Sequence, residues 1–377
     1  MKKDIVVFTK KIQNLQGLRG VAVLLVVFMH MLHIETKYAL FDYVVPELIL
    51  IGAFGVDLFF LISGFVMISV TRSAFQSKKA IHKFLYHRVT RIYPLYWFYS
   101  IIILCVYLIQ PSLVNSSQGN QVNILASFLL LPQNLLPLVN VGWTLIYEMY
   151  FYFVFAVLLF LPKNYLLPGL IGWGGVILIG NINLSGSDNS FIGTYFNPLT
   201  LEFIGGCMMG KLYFSRSIKG NANAVALMAL VIWVVGYYFF QEISGNETPS
   251  GWMRVLVFGF PAALALYAAL LYEKNHGAVM PSWICKVGDA SYSVYLSHVL
   301  VLSVVGRFWS LFAVEGYWDN ILMLLIMLIA VLSYGQVSYQ YIERAMLNKT
   351  RGFEKYIFPS KDGSSESFLG KKLEKSG

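Results

Sequence analysis

Ten apolar runs, each long enough to cross a bilayer as a single helix, follow one another along this chain of 377 residues. Only 12% of the residues are charged, whereas an ordinary soluble domain carries about 25%. The sequence therefore predicts an all-α polytopic membrane protein with about ten transmembrane helices; the fifth run is short and rich in glycine, which leaves nine or eleven open. The predicted spans are residues 17–34, 48–70, 92–110, 141–161, 166–182, 197–215, 224–241, 253–272, 288–308 and 320–342.

Lysine and arginine accumulate in alternate loops, which predicts the orientation of the chain. If the N-terminus is cytoplasmic, the inner loops hold most of the basic residues, whereas the outer loops hold Lys37, with Arg254 and Arg307 near span ends. Positive residues remain on the cytoplasmic side of membrane proteins. We therefore predict that both termini are cytoplasmic. The net charge of +9 then follows from topology and requires no nucleic-acid partner.

Composition divides the chain into three parts. The predicted parts are a cytoplasmic N-terminus over 1–16, a membrane domain over 17–342 and a charged, disordered cytoplasmic tail over 343–377. The stretch ILASFLLLPQNLLPL, 124–138, is apolar but is interrupted by Pro132 and Pro137. This pattern predicts a short re-entrant or interfacial segment between two spans.

Two polar residues interrupt the first span, LQGLRGVAVLLVVFMH, at Arg19 and His30. They are eleven residues apart, so that on a helix they lie on one face and are separated along the axis by about 16 Å. Ionisable residues inside a membrane are costly and normally face a partner or an interior cavity. We therefore predict that Arg19 lies at the cytoplasmic mouth of a site and that His30 lies deep within it.

Two carboxylates fall at a similar depth to His30 when the spans are placed in the membrane. They are Asp57, in GVDLFFLISGF, and Glu148, in GWTLIYEMYFYF. A carboxylate can hold an imidazole in one tautomer so that its other nitrogen accepts a proton. We predict that His30 is the general base for an acceptor hydroxyl and that Glu148 is its preferred partner. Asp57 is the alternative partner, or a hydrogen-bonding residue between helices.

The cytoplasmic segment HRVTRIYPLYW places Arg88 and Arg91 three residues apart, on one face of a helix. A planar guanidinium group suits phosphate, so that these two residues and Arg19 predict a site for a phosphorylated cosubstrate. The alternative is that they only anchor the chain at the membrane surface. Glu343, in YIER at the end of the last span, is predicted to pair with Arg88 or Arg91.

A polar stripe opens the ninth span, in GDASYSVYLSH, where Ser291, Tyr295 and His298 recur at helical spacing. Such a stripe either lines a substrate tunnel or forms hydrogen bonds between helices. We group these three residues as candidates for substrate binding, together with Trp143, which opens GWTLIYEMYFYF.

Six segments of the chain, in this order, resemble membrane-bound acyltransferase family 3, whose bacterial members O-acetylate polysaccharides. The segments are LQGLRGVAVLLVVFMH, GVDLFFLISGF, HRVTRIYPLYW, VGWTLIYEMYFY, GDASYSVYLSH and YIER, within 15–344. By this resemblance, Arg19 and His30 match the essential arginine and histidine of the first helix. Arg88 and Arg91 match an Arg-x-x-Arg motif associated with acyl-CoA. The amino-acid sequences of the second and fourth segments are most similar to those of the exopolysaccharide-acetylating branch.

The resemblance implies an O-acetyltransferase of the bacterial inner membrane. The donor would be acetyl-CoA, with succinyl left open as the acyl group, and the acceptor would be a hydroxyl of a cell-surface polysaccharide or its lipid-linked precursor. No metal is expected, and a homo-oligomer is left open. The rival function is a multi-pass transporter or flippase of a glycan precursor, since paired intramembrane charges suit transport as well.

Overall fold

The computed structural model describes residues 12–40, 44–45, 47–184, 186–245 and 248–359. These residues form helices joined by turns, and no strand occurs among them. The all-α class predicted from the sequence is therefore confirmed. The α-helices are α1 (Gln13–Tyr38), α2 (Phe54–Val70), α3 (Lys78–Ile109), α4 (Ile124–Leu129), α5 (Trp143–Leu158), α6 (Leu166–Leu184), α7 (Ser190–Tyr195), α8 (Thr200–Phe214), α9 (Ala222–Ser244), α10 (Gly251–Arg254), α11 (Phe260–His276), α12 (Ser282–Asp289), α13 (Ser291–Trp309), α14 (Tyr317–Ser338) and α15 (Arg344–Ile357).

Eight helical segments in the described part of the chain are long and apolar enough to cross a membrane. They correspond to eight of the ten predicted spans, and the chain is a multi-pass membrane protein. The other two predicted spans, 197–215 and 288–308, form α8 and α13. Helix α8 has only 15 residues, and α13 buries serine and histidine side chains among its neighbours. Length and composition thus support eight crossings, because these two helices are short or polar.

Helices α2 and α8 approach each other more closely than ordinary side chains would permit. A Cβ atom at Gly64 would lie 2.0 Å from the carbonyl oxygen of Phe203, and one at Gly206 would lie 1.9 Å from that of Leu61. Small residues let helix backbones come together in membranes, where dispersion contacts replace the hydrophobic effect as the packing force. This contact fixes the position of α2, which carries Asp57 and Ser63 of the site described below.

The beginning of α1, the end of α11 and the helix α15 lie at the same end of the molecule as the start of α3. The backbone N–H of Asn14 donates to Glu273 at 2.9 Å, which joins α1 to α11. Lys83 and Glu354 form an ion pair of 2.7 Å, which joins α3 to α15. That this end faces the cytoplasm stays a prediction from the distribution of basic residues.

The segment 124–138 enters the protein between α3 and α5 and returns to the end from which it came. The six residues of α4 are too few to span a bilayer. The hydroxyl of Tyr96 donates to the carbonyl of Ser127 at 2.7 Å. Tyr96 lies 13 residues before the end of α3, so the segment dips about 20 Å along that helix. The segment thus follows the course predicted for a re-entrant element, and its position relative to the bilayer stays a prediction.

The prediction that 343–377 is disordered is wrong for residues 344–357, which form α15. The sequence is charged and poor in apolar residues, but its helix is held by tertiary contacts such as the hydrogen bond of 2.6 Å from the Tyr86 hydroxyl to the Thr350 carbonyl. The rest of this predicted tail, from residue 360 onward, and most of the predicted N-terminal part, 1–11, lie outside the described residues.

Labelling of single cysteines tests the predicted orientation. Ser77 and Asn115 flank the two ends of α3, a helix of 32 residues that extends about 48 Å. We expect a membrane-impermeant thiol reagent to label Asn115→Cys in intact cells, and Ser77→Cys only after the membrane is permeabilised. Labelling of both positions from the same side would refute the span assignment, and labelling in the reverse pattern would refute the orientation.

Candidate active site

The three predicted arginines meet at one cavity of about 120 Å³, here called the inner cavity. Arg19 comes from α1, and Arg88 and Arg91 come from α3. Residues that are distant in sequence are thus brought together as predicted. The polar residues of the wall, apart from the arginines, are Ser63, Thr144, Glu148, Tyr152, Ser291, Tyr292 and Tyr295.

Aromatic rings and a serine hold the guanidinium groups of the inner cavity. Arg19 donates to the Ser291 hydroxyl at 2.9 Å. Arg88 lies 5.7 Å from the ring centre of Tyr152, and Arg91 lies 5.9 Å from that of Tyr292. Contacts of this kind hold a guanidinium group by its flat face and leave its N–H edges for a ligand. Among the described residues, the buried Nε of Arg88 has no hydrogen-bond partner.

Glu148 belongs to the inner cavity, and its carboxylate has partners other than His30. It accepts hydrogen bonds from the hydroxyls of Ser63, at 2.9 Å, and Tyr152. The predicted pairing of Glu148 with His30 is therefore wrong. Counting residues along the spans predicts a similar depth for Glu148 and His30. In the structure, the packing of the helices directs Glu148 toward the arginines of the inner cavity.

Asp57 likewise has a partner that the sequence reading did not assign. Its buried carboxylate accepts hydrogen bonds from Nε and one terminal nitrogen of Arg254, each at 2.9 Å. A second buried carboxyl group, Glu202, lies within electrostatic reach of both. The alternative pairing of Asp57 with His30 is therefore wrong as well. The rule that an intramembrane carboxylate seeks a partner could have found Arg254, which lies at the outer end of the predicted span 253–272 but was treated only as a loop charge.

The partner of His30 is a second histidine. Nδ1 of His30 lies 3.4 Å from Nε2 of His298, and the two rings meet edge to face with centres 4.8 Å apart. Each Nδ1 also contacts a backbone carbonyl, that of Val26 at 2.9 Å for His30 and that of Tyr295 at 2.7 Å for His298. The sequence placed His298 on a polar stripe but did not connect it with His30.

The carbonyl contacts define the tautomers of both neutral rings. A carbonyl oxygen only accepts, so each Nδ1 must carry a hydrogen. The one Nδ1–H of His30 is then shared between the Val26 carbonyl, at 2.9 Å, and the lone pair of His298 Nε2, at 3.4 Å. It follows that Nε2 of His30 has a free lone pair, the form that a general base requires.

His30 opens into a second cavity of about 590 Å³, here called the outer cavity. Its wall also contains Lys37, Asn115, Arg254 and Arg307. These residues lie toward the end of the molecule opposite to the inner cavity. Arg19 and His30, although both on α1, therefore face different cavities.

A thin partition separates the two cavities and is formed by Tyr295, Thr144 and the backbone of Val141. The hydroxyls of Tyr295 and Thr144 lie 2.9 Å apart, and the Tyr295 hydroxyl also donates to the Val141 carbonyl at 3.2 Å. Tyr295 and Thr144 line the inner cavity, whereas Val141 lines the outer cavity. The predicted stripe of Ser291, Tyr295 and His298 thus runs from the arginines through the partition to the histidine pair.

Two other residues singled out in the sequence, Trp143 and Glu343, lie beside the stripe of Ser291, Tyr295 and His298. The ring of Trp143 packs 5.6 Å from the Arg254 guanidinium and so supports the ion pair with Asp57. Glu343 accepts a hydrogen bond of 2.7 Å from Ser293, whereas pairing with Arg88 or Arg91 was predicted. Within the described residues, no group of three or more side chains could hold a metal ion.

The family model described as an acyltransferase domain, that of acyltransferase family 3, matches residues 12–335. The chain belongs to this family. The match covers both cavities and the histidine pair, so that the family predicted from six short segments is confirmed and the protein is an acyltransferase. No solved structure matches the chain.

Three relatives in this acyltransferase family illustrate the range of similarity. The exopolysaccharide production protein ExoZ of Rhizobium meliloti is 32% identical over 315 residues, which are 80% of this chain and 91% of that protein. The O-acetyltransferase OatA of Staphylococcus aureus is 26% identical over 83% of this chain. The peptidoglycan O-acetyltransferase OatA of Listeria monocytogenes is 21% identical over 96% of this chain. The matches cover 55% and 60% of these two OatA proteins.

Proposed function

We propose that this acyltransferase moves an acetyl group from cytoplasmic acetyl-CoA to a hydroxyl of a cell-surface polysaccharide or of its lipid-linked precursor. The observation that carries the proposal is the arrangement of two cavities at opposite ends of one path. Arginines line the inner cavity, a histidine with a free nitrogen faces the outer cavity, and Tyr295 lies between them. An anionic donor and a neutral hydroxyl acceptor require these two kinds of site.

The inner cavity supports the donor part of the proposal. Coenzyme A carries phosphates at one end and a thin arm with the thioester at the other. Arg19, Arg88 and Arg91 present guanidinium edges that suit phosphate, and the apolar part of the wall suits the arm. Arg19 and His30 are separated by about 16 Å along α1, a distance that such an arm can bridge.

His30 is the proposed general base. Its free Nε2 takes the proton of the acceptor hydroxyl as that oxygen attacks the thioester carbonyl carbon. The new carbon–oxygen bond replaces the carbon–sulfur bond, and the leaving thiolate becomes the free thiol with the proton that His30 releases, which restores the neutral base. The Nε2 lone pair of His298 accepts from the Nδ1–H of His30 and so stabilises the protonated ring.

The relatives support the acceptor part of the proposal. One of them is named for exopolysaccharide production and another for the O-acetylation of peptidoglycan, and both polymers offer sugar hydroxyls. The outer cavity has polar walls, with Asn115, Ser116 and Asn140 among its residues. A sugar with several hydroxyl groups suits such a wall. We place the protein in the bacterial inner membrane, where cytoplasmic donor and external acceptor meet.

Labelled acetyl-CoA tests this function directly. Membranes that contain the protein should transfer label into polysaccharide, and membranes from cells that lack it should not. The surface polysaccharide of the deletion strain should be lighter by one acetyl group per modified sugar, as measured by mass spectrometry. Transport of intact glycan without transfer of label would refute the enzymatic proposal, and transfer of succinyl alone would refute the acetyl assignment.

Alanine substitutions test the donor site. We expect Arg88→Ala and Arg91→Ala each to weaken acetyl-CoA binding by about ten-fold or more, because a hydrogen bond to a charged group contributes roughly 1.5–3 kcal/mol. Lysine at either position should restore only part of the affinity, since it lacks the planar fork. Equilibrium binding to the purified protein measures the effect. Arg72→Ala, at an arginine packed on Phe214 outside the site, is the control. Normal binding in both Arg88→Ala and Arg91→Ala would leave these residues as membrane anchors.

A further inference from the structure

A third cavity, of about 280 Å³, lies at the same end of the molecule as the inner cavity and is lined by α15; it is here called the basic cavity. Four arginines face it, against the carboxylates of Asp289 and Glu343, which leaves a net charge of +2. Two of these arginines, Arg344 and Arg351, come from α15. The complete lining is Gln16, Arg19, Arg91, Asp289, Tyr339, Glu343, Arg344, Leu347, Asn348 and Arg351.

The basic cavity adjoins the inner cavity, because Arg19 and Arg91 line both. The basic cavity is strongly polar, whereas the wall of the inner cavity combines its polar side chains with apolar ones such as Val56, Phe60 and Val66. A ligand with a phosphorylated head and a thin arm fits this sequence of environments. Its phosphates would lie among the four arginines while its arm extends past Arg19 toward the partition.

Residues other than the arginines supply the hydrogen bond and the ion pair that join α15 to α3 in the described part of the chain. Thr350 and Glu354 hold the helix against α3, the first through its carbonyl and the second through the ion pair with Lys83. Arg344 and Arg351 lie on another face, roughly 100° around the helix axis. Both are exposed residues. A helix that is fixed by one face presents its second face, with two arginines, to the basic cavity.

We propose that Arg344 and Arg351 bind the phosphate groups of the nucleotide end of the acyl-CoA donor, so that α15 forms the outer wall of the donor site. This inference rests on the proposed function, and it assigns a binding role to a segment that the sequence indicated to be disordered. The guanidinium fork matches phosphate oxygens in pairs, and two forks one above the other on a helix suit more than one phosphate group.

An anionic lipid headgroup offers the same phosphate chemistry at the membrane surface. The arginines Arg19 and Arg91, which line both the basic cavity and the inner cavity, favour the donor, because one long ligand can then contact both cavities. The experiment must therefore separate the two sources of phosphate.

Equilibrium binding in nanodiscs made only of phosphatidylcholine provides that separation. The ligands are acetyl-CoA and acetyl-pantetheine, which has the thioester arm without the nucleotide. We expect Arg344→Gln and Arg351→Gln each to weaken acetyl-CoA binding by about ten-fold, the effect of losing one charge-assisted contact. Binding of acetyl-pantetheine should be unchanged. Lys349→Gln removes a charge from the exposed side of the same helix and should bind acetyl-CoA as the natural protein does.

Each outcome has a distinct meaning. If the unmodified protein does not bind acetyl-CoA, the proposed function fails. If it binds and both arginine variants bind equally well, only the role of α15 is refuted. If the arginine variants bind acetyl-CoA more weakly only in nanodiscs that contain anionic lipid, the arginines bind a lipid headgroup and the proposal is refuted. Thermal unfolding of each variant verifies that α15 remains folded, and Arg351→Lys should recover part of the affinity.

Discussion

Substitution of His30 by alanine is expected to lower acetyl transfer by about 10²- to 10⁴-fold, the usual effect of removing a positioned general base. Donor binding should remain, because His30 faces the outer cavity and the arginines face the inner one. Transfer of labelled acetyl groups by purified protein in membranes measures the first effect, and equilibrium binding of acetyl-CoA measures the second.

His33 provides the matched control for this experiment. It lies one turn further along α1, is exposed, and directs its Nδ1 to the Met29 carbonyl at 2.9 Å. His33→Ala should retain transfer, because this ring, which also lines the outer cavity with its centre 6.0 Å from that of His30, is not the one that meets His298. Substantial activity in well-inserted His30→Ala protein would refute the mechanism but would leave the family assignment intact.

A double-mutant cycle tests the histidine pair itself. If His298 acts only by accepting the Nδ1–H of His30, then His298→Ala should have little further effect once His30 is absent. Residues that act as one unit show this lack of additivity. Independent, multiplying losses would instead assign His298 a task of its own, such as contact with the acceptor.

The second large effect is expected in stability. Arg254→Met should lower the free energy of unfolding by about 3–5 kcal/mol, because it leaves the buried Asp57 carboxylate without its ion-pair partner. A double variant, Asp57→Asn with Arg254→Met, should recover much of this loss, since it removes both charges together. Thermal unfolding in detergent, followed by the fluorescence of a thiol-reactive dye, measures both variants.

Lys37→Met is the control for that experiment. Lys37 lines the outer cavity, as Arg254 does, but it is exposed, so the substitution removes a positive charge that is not buried. It should unfold at nearly the same temperature as the natural protein, since exposed charges contribute little. If Arg254→Met is as stable as this control, the ion pair has no structural role and a function for Asp57 in catalysis regains support.

Arg19 and His30 could be found in the sequence because they interrupt an apolar helix, and Arg88 and Arg91 because they are three residues apart in a predicted cytoplasmic segment. The partners of the acidic residues could not. The depth of a residue in the membrane follows from counting residues along its span. The direction in which its side chain points can be predicted only if the lipid-facing and protein-facing sides of the helix differ in polarity. In a membrane both sides are apolar, so the pattern carries little of that information. Counting residues therefore suggested His30 as the partner of Glu148 and Asp57, whereas the packing gives these carboxylates other partners.

The error over α15 has a different physical origin. Residues 344–357 have little apolar character, so composition alone gave no reason for order. Their structure depends on contacts with α3, such as the ion pair between Lys83 and Glu354, which join residues 271 positions apart. Local sequence contains no trace of such a partner, whereas it contains the helical period and the spacing of Arg344 and Arg351.

The closed partition has a consequence for the energy supply of the cell. A protein open to both faces of its membrane at once would conduct protons and dissipate the electrochemical gradient, which is worth roughly 2.3 kcal/mol per elementary charge at 100 mV. The hydrogen bonds of Tyr295 to Thr144 and Val141 lie between the two cavities, in the position where a barrier to that leak is needed. Under the proposed donor route, the thioester arm passes the partition only when these bonds break, so the rate of their opening sets an upper limit on turnover, as gating motions do in other enzymes.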